Sequence, residues 1–145
     1  MECTKFVPVS SNGGGMRVKL SEYFEKTKGR GVFATSDSKG KVGTAVYGRP
    51  HFINEKTVAF IMVDRLMHKN LQSNPYASYL FMESKERYVG KRLYLTKIRE
   101  EKDPALIDKI RRRESCPVYT AYKNQIRYLV YFRIDKVLPL IGEKK

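Results

Sequence analysis

Thr57–Met82 reads TVAFIMVDRLMHKNLQSNPYASYLFM, an apolar run, a short basic segment and a second apolar run. Thr57–Val63 is apolar at nearly every position, which marks a strand covered on both faces. Asp64 stands where an N-cap belongs, with a side chain able to accept from the open N–H groups of a first helical turn. Arg65, His68 and Lys69 fall within that turn and the next. Pro75 ends the helix, because it disfavours a helical residue before it and has no N–H for the ladder. Tyr76–Met82 then reads as another strand. A helix N-terminus carries unpaired donors and partial positive charge, so with cations added this unit suits a phosphate group.

Outward from this unit, the flanking chain alternates between strands and turns. Leu20, Tyr23, Phe24 and Thr27 sit at helical spacing, with Gly29 placed to end the helix. GVFATS follows as a strand, then the turn DSKGK. Residues 41–53 form one longer extended run whose Gly43, Gly48 and Pro50 suit bulges, or backbone closely approached by a ligand. Asn54-Glu55-Lys56 reads as the hairpin loop leading into Thr57. KRLYLTKI (91–98) alternates. Asp103-Pro104 opens a helix with apolar Leu106, Ile107 and Ile110, closed by Arg111, Arg112 and Arg113. Residues 114–125 are irregular. In the final strand Ile126, Tyr128, Val130, Phe132 and Ile134 alternate against Arg127, Leu129, Tyr131 and Arg133. Tight turns between about six such strands indicate a mainly β, α+β chain with a closed or nearly closed antiparallel barrel.

The 145 residues suit one domain, taken as 17–145 after a flexible tail over 1–16 that ends in SSNGGG. No apolar run is long enough to span a membrane and no signal peptide opens the chain, so the expectation is a soluble, cytoplasmic protein. Cys3 and Cys116 sit in unrelated contexts, and with His51 and His68 they give no metal-ligand spacing. Lys and Arg total 29 against 15 Asp and Glu, a net charge of +14. That balance invites a nucleic-acid reading. The cations are dispersed among acids, as in SKERYVGKR and KIREEKD, which argues for a solvated basic surface instead. Nucleophile elbow, P-loop and dinucleotide fingerprint are all absent from the sequence.

FIMVDRLMHKNLQSNPYASYLF resembles the strand, phosphate-binding turn, helix and Asn-Pro of flavin-binding split barrels related to pyridoxamine 5'-phosphate oxidase. MHKNL is also similar to a helix motif of the haem-utilisation branch, and FRIDKVLPL to the family's last strand. The resemblance covers roughly residues 19 to 137. It implies a six-stranded antiparallel split β-barrel and a homodimer holding one FMN per subunit at the interface. It further implies an unknown small-molecule substrate or redox partner. The phosphate grip would match Asp64, Arg65, Leu66, His68 and Lys69. The ring would lie along Thr44, Ala45, Val46, Tyr47, Gly48, Arg49 and Pro50, with Met62 and Val63 beside it. Lys91 and Arg92 would come from the partner subunit. The oxidase's Ser-Arg-Lys helix start and its C-terminal substrate clamp are not matched, so flavin binding carries over while oxidation of pyridoxamine phosphate does not.

Each residue also has a plainer reading. Arg65 and Lys69 fit solvated helix charges, His68 a surface or capping histidine, and Arg49 a partner for an acid across the barrel. Two rival functions follow from the same sequence. One is the same fold binding a deazaflavin, whose acidic tail suits the positive surface, or haem. The other is a small basic nucleic-acid-binding barrel using Tyr88, Tyr94, Tyr128 and Tyr131 for stacking.

Overall fold

The computed structural model describes residues 18–85, 87–110 and 125–143. The expected tail over 1–16, the Arg111–Arg113 helix end, Cys116 and most of the irregular run after it lie outside these residues. The elements are α1 (Leu20–Lys26), β1 (Gly29–Ser36), β2 (Val42–Tyr47), β3 (His51–Asn54), β4 (Thr57–Val63), α2 (Leu66–Ser73), β5 (Tyr76–Glu83), β6 (Gly90–Glu101), α3 (Pro104–Ile110) and β7 (Arg127–Pro139).

Among the described residues, seven strands join one sheet in the order β2-β1-β5-β6-β7-β4-β3, and each of its ladders is antiparallel. The expectation of six strands fails at residues 41–53. There the run breaks at Gly48-Arg49-Pro50 into β2 and β3, which become the two edges of the sheet. Pro50 has no N–H for a ladder, and the buried Arg49 turns inward, its Nη1 donating to the carbonyls of Phe24 (2.9 Å) and Thr27 at the end of α1. The sheet rolls up without its edges closing a ladder. Phe33 of β1 still meets Phe60 of β4 at 4.8 Å between ring centroids, four places away in strand order.

The interior of this roll is aromatic. Phe33, Phe60, Tyr79, Phe81 and Phe132 are each fully or almost fully buried there. Alternation in β4 and β7 sends Val58, Phe60, Met62, Val130 and Phe132 inward. Ala59, Leu129 and Tyr131 go to the outer face, where Ile107 of α3 covers them. That is why β4 reads as apolar throughout. The two remaining helices close opposite mouths. Phe24 of α1 packs on Phe81 at 5.0 Å near the start of β1, while Met67 and Leu71 of α2 enter the core near its end.

The glycines on β1 and β2 are explained by close packing within the chain. A Cβ at Gly31 would collide with the Tyr79 phenol, whose O–H donates to the Gly48 carbonyl at 3.0 Å. A Cβ at Gly43 would lie 2.7 Å from Met67 Cε, so this position is bare to let α2 seat, and Gly43 stays in regular register opposite Thr35. Bulges occur instead at Phe52/Asn54, Tyr94/Leu95 and Lys97/Arg99.

Among the described residues, no helix is long and apolar enough to cross a membrane. The same residues contain no group of three or more His, Cys, Asp or Glu side chains able to hold a metal ion.

Candidate functional site

The helix that caps the second mouth, α2, begins one residue later than the sequence suggests. Its N-cap is Arg65, in extended backbone and with no side-chain capping bond; Asp64 is not the cap. The reason is competition from the sheet. The Asp64 N–H donates to the Ile126 carbonyl at 3.1 Å, which prolongs the β4–β7 ladder past Val63. The first turn of α2 contains no acidic residue. A helix start of this kind leaves donors and partial positive charge available to an anion.

One side of α2 is fixed to the barrel. Asn70 Nδ2 donates to Thr35 Oγ1 at 3.1 Å, and Thr35 Oγ1 donates to the Met67 carbonyl at 3.3 Å. The other side, with Arg65, His68, Lys69 and Gln72, borders an open cleft of about 550 Å³ that Asp64, Leu66, Glu100 of β6 and Tyr128 of β7 also line. Arg65 and Lys69 are exposed at its rim.

His68 is only 5% exposed. Its ring lies parallel on Tyr128, 3.9 Å between centroids, and Nε2 is 3.0 Å from both oxygens of Glu100. A carboxylate only accepts, so Nε2 carries the proton and donates. Nδ1 faces Asp64 Oδ1 at 3.7 Å. His68 is thus held by Glu100 and Tyr128 in the lining of the cleft. Glu100 also receives Lys97 Nζ at 2.7 Å and Gln72 Nε2 at 3.2 Å. Burial alone would raise the pKa of the Glu100 carboxyl, but hydrogen bonds from Lys97, His68 and Gln72 outweigh it and hold the group below its ordinary value of 4.5.

A folded-state pKa below the unfolded one contributes stability above the ordinary value, and that contribution is lost as pH falls through the folded one. Glu100→Gln is therefore expected to flatten the acid limb of a melting-temperature profile below pH 4.5. An acid limb as steep as that of the parent would show that Glu100 has no part in it.

The other candidate residues fall into two groups. On β2, Thr44 and Val46 are exposed on the outer face, Ala45 and Tyr47 pack inward, and Gly48 is exposed in the link to β3. This strand lies beside the start of α2, where Leu66 Cδ2 would be 3.3 Å from a Cβ at Gly43. Val63 is half-buried at the end of β4, but the Met62 side chain is fully buried in the barrel. Met62, with its backbone in the β4–β7 ladder, is closed off from a ligand in the cleft. Arg49 Nη1 is held by carbonyls at the end of α1.

Lys91 and Arg92 sit at the opposite mouth. Lys91 Nζ lies 4.6 Å from the centre of the Tyr23 ring, and Arg92 Nε donates to the Pro139 carbonyl at 2.9 Å. Burial, with the bond and charge of Glu83, pushes the Tyr23 phenol far above its ordinary pKa, so it stays neutral and donates to Glu83 Oε2 at 2.5 Å. Val63 pairs with Arg127 and Lys91 with Pro139, so the two mouths are separated by nearly the whole of β7. One chain does not bring Lys91 and Arg92 to α2.

Glu100, Gln72 and Tyr128 were missed as site residues. Glu100 lies 32 positions from His68 and is seen in sequence only as one acid in KIREEKD. On β7 the two tyrosines envisaged for stacking nucleic acid are already taken: the Tyr128 ring is stacked on His68, and Tyr131 is buried against α3 with Arg99 over its ring at 3.8 Å.

The fold defined by this sheet and its capping helices is shared with split-barrel proteins of the FMN-binding and pyridoxamine 5'-phosphate oxidase type. An FMN-binding protein from Syntrophomonas wolfei subsp. wolfei superposes with a TM-score of 0.68 at 20% identity, covering 87% of this chain and 86% of that one. A pyridoxinephosphate oxidase family protein from Clostridium acetobutylicum gives 0.59 at 13% identity, covering 79% and 81%. An F420 reductase gives 0.55 at 13% identity, covering 74% and 87%. A heme binding protein from Mycobacterium smegmatis gives 0.53 at 15% identity, covering 81% of this chain and 50% of that one. No protein-family model and no curated protein matches the chain in sequence.

Proposed function

We propose that this chain binds FMN, with the phosphate at the start of α2 and the ring along β2, and serves as a flavin-dependent oxidoreductase or electron carrier. The observation that carries the reading is the uncapped start of α2, flanked by Arg65 and Lys69 at a barrel mouth, in a fold shared with an FMN-binding protein. The donor set fits a phosphate: open backbone N–H groups, a guanidinium able to bond two oxygens, and a lysine as point charge. Leu66, 58% exposed, and the outer face of β2 supply apolar cover beside it. A bound flavin would supply hydride or electron transfer, and the protein its orientation and electrostatics.

The active form in this reading is a homodimer. Exposed Val46 pairs with exposed Val32 across β2 and β1, and Val42, Tyr76 and Tyr94 are also exposed on β2, β5 and β6, with half-buried Leu80 between them. Such an apolar face suits a second copy, which would bring Lys91 and Arg92 to the site from outside the chain. Purified protein is expected to be yellow, or to become so on adding FMN and desalting. Protein that stays colourless after both would overturn the reading.

A deazaflavin is the second reading, favoured by the fold shared with an F420 reductase and by the +14 charge. Titrating the apoprotein with each cofactor in turn separates the two.

A further inference from the structure

The rim cations and the α2 donors account for an anion, but they leave the Glu100 carboxylate in the same cleft unexplained. Glu100 is a negative charge within the same cleft as Arg65 and Lys69. Coulomb's law alone makes it a liability there, since it opposes the anion those cations attract. Its bonds indicate what it does instead. Both carboxylate oxygens lie 3.0 Å from Nε2 of His68, the third residue of α2. Lys97 and Gln72 hold the carboxylate from two further sides. Stacking on Tyr128 fixes the plane of the imidazole. The first turn of α2 is thereby tied to β6 and β7 on its cleft side, as Thr35 and Asn70 tie it to β1 on the other.

We propose that Glu100 is a positioning residue for the anion site: acting through His68, it holds the first turn of α2 so that its N–H groups and Arg65 converge on one point. This rests on the reading of α2 as a phosphate anchor. Donors aimed at a phosphate are useful only when held to within a fraction of an ångström, and a first turn tied on one side alone is free to swing. The distinctive consequence is one of sign. Removing a nearby negative charge, and freeing Lys97 from its partner, should strengthen phosphate binding if charge were all that mattered. Loss of positioning should weaken it.

The experiment compares FMN affinity, by quenching of flavin fluorescence at neutral pH, in the parent, Glu100→Ala and Glu100→Gln proteins, each checked for folding by circular dichroism. Gln keeps an acceptor oxygen for His68 Nε2 and removes the charge, whereas Ala removes both. The expected result is a loss of roughly fivefold to tenfold for Ala, the size of one misaligned hydrogen-bonding group, with affinity restored to the parent level or above by Gln. Tightening in both variants, or no change in either, overturns the proposal. If Glu100→Ala does not fold, Gln72→Ala and Gln72→Leu, which each remove one support of the carboxylate without changing the charge, are expected to weaken FMN binding by a smaller factor. Unchanged affinity in both would be equally fatal. Failure of the parent itself to bind FMN removes the phosphate reading and this proposal together, whereas a parent that binds with an unresponsive Glu100 removes this proposal alone.

Discussion

Replacing Arg65 and Lys69 together with alanine is expected to weaken FMN binding by roughly a hundredfold, with melting temperature nearly unchanged. A hydrogen bond to a charged group contributes about 1.5–3 kcal/mol, and about 1.4 kcal/mol is a factor of ten in affinity. Two such contacts therefore account for the hundredfold, even after screening at an exposed site. The fold should tolerate the change because both side chains are exposed and neither enters the barrel core. Isothermal titration of the double variant with FMN measures the effect. Affinity within threefold of the parent would mean that the phosphate is held elsewhere.

The largest effect on stability is expected at Phe33. This side chain is fully buried, and its ring centroid lies 4.8 Å from Phe60, 5.2 Å from Tyr47 and 5.4 Å from Phe132. It thus joins β1 and β2 to β4 and β7 across the interior of the roll. Phe33→Ala should cost about 3–5 kcal/mol from lost burial and the cavity left behind. With typical domain stabilities of about 5–15 kcal/mol, that is enough to leave the variant marginal. Urea unfolding followed by circular dichroism checks it, and a loss under about 1 kcal/mol would contradict the central place given to this ring.

Much of the sheet could be read in the sequence because alternation is a local signal. Ile126 to Ile134 alternates as expected, and the doubly apolar β4 is covered by the barrel core on one face and Ile107 on the other. The misreadings came from contacts between distant residues. Asp64 has the residue type of a cap, but its N–H is taken by Ile126. Gly43 looked like room for a ligand and is room for Met67. Residues 41–53 read as one strand, but Arg49 turns in towards α1 and divides the run. In the candidate site, Arg65 and Lys69 were legible from their place after an apolar strand. The contacts of His68 were not, since they are made with Glu100 and Tyr128, which only the folded sheet brings to α2.

The claim beneath all of these results is that the start of α2 holds the phosphate of a flavin. Titrating the parent protein with FMN and with riboflavin, which differ only in that phosphate, tests it most directly. FMN is expected to bind at least tens of times more tightly, the effect of losing one charged anchor. Equal affinity for the two, or no binding of either, would contradict it.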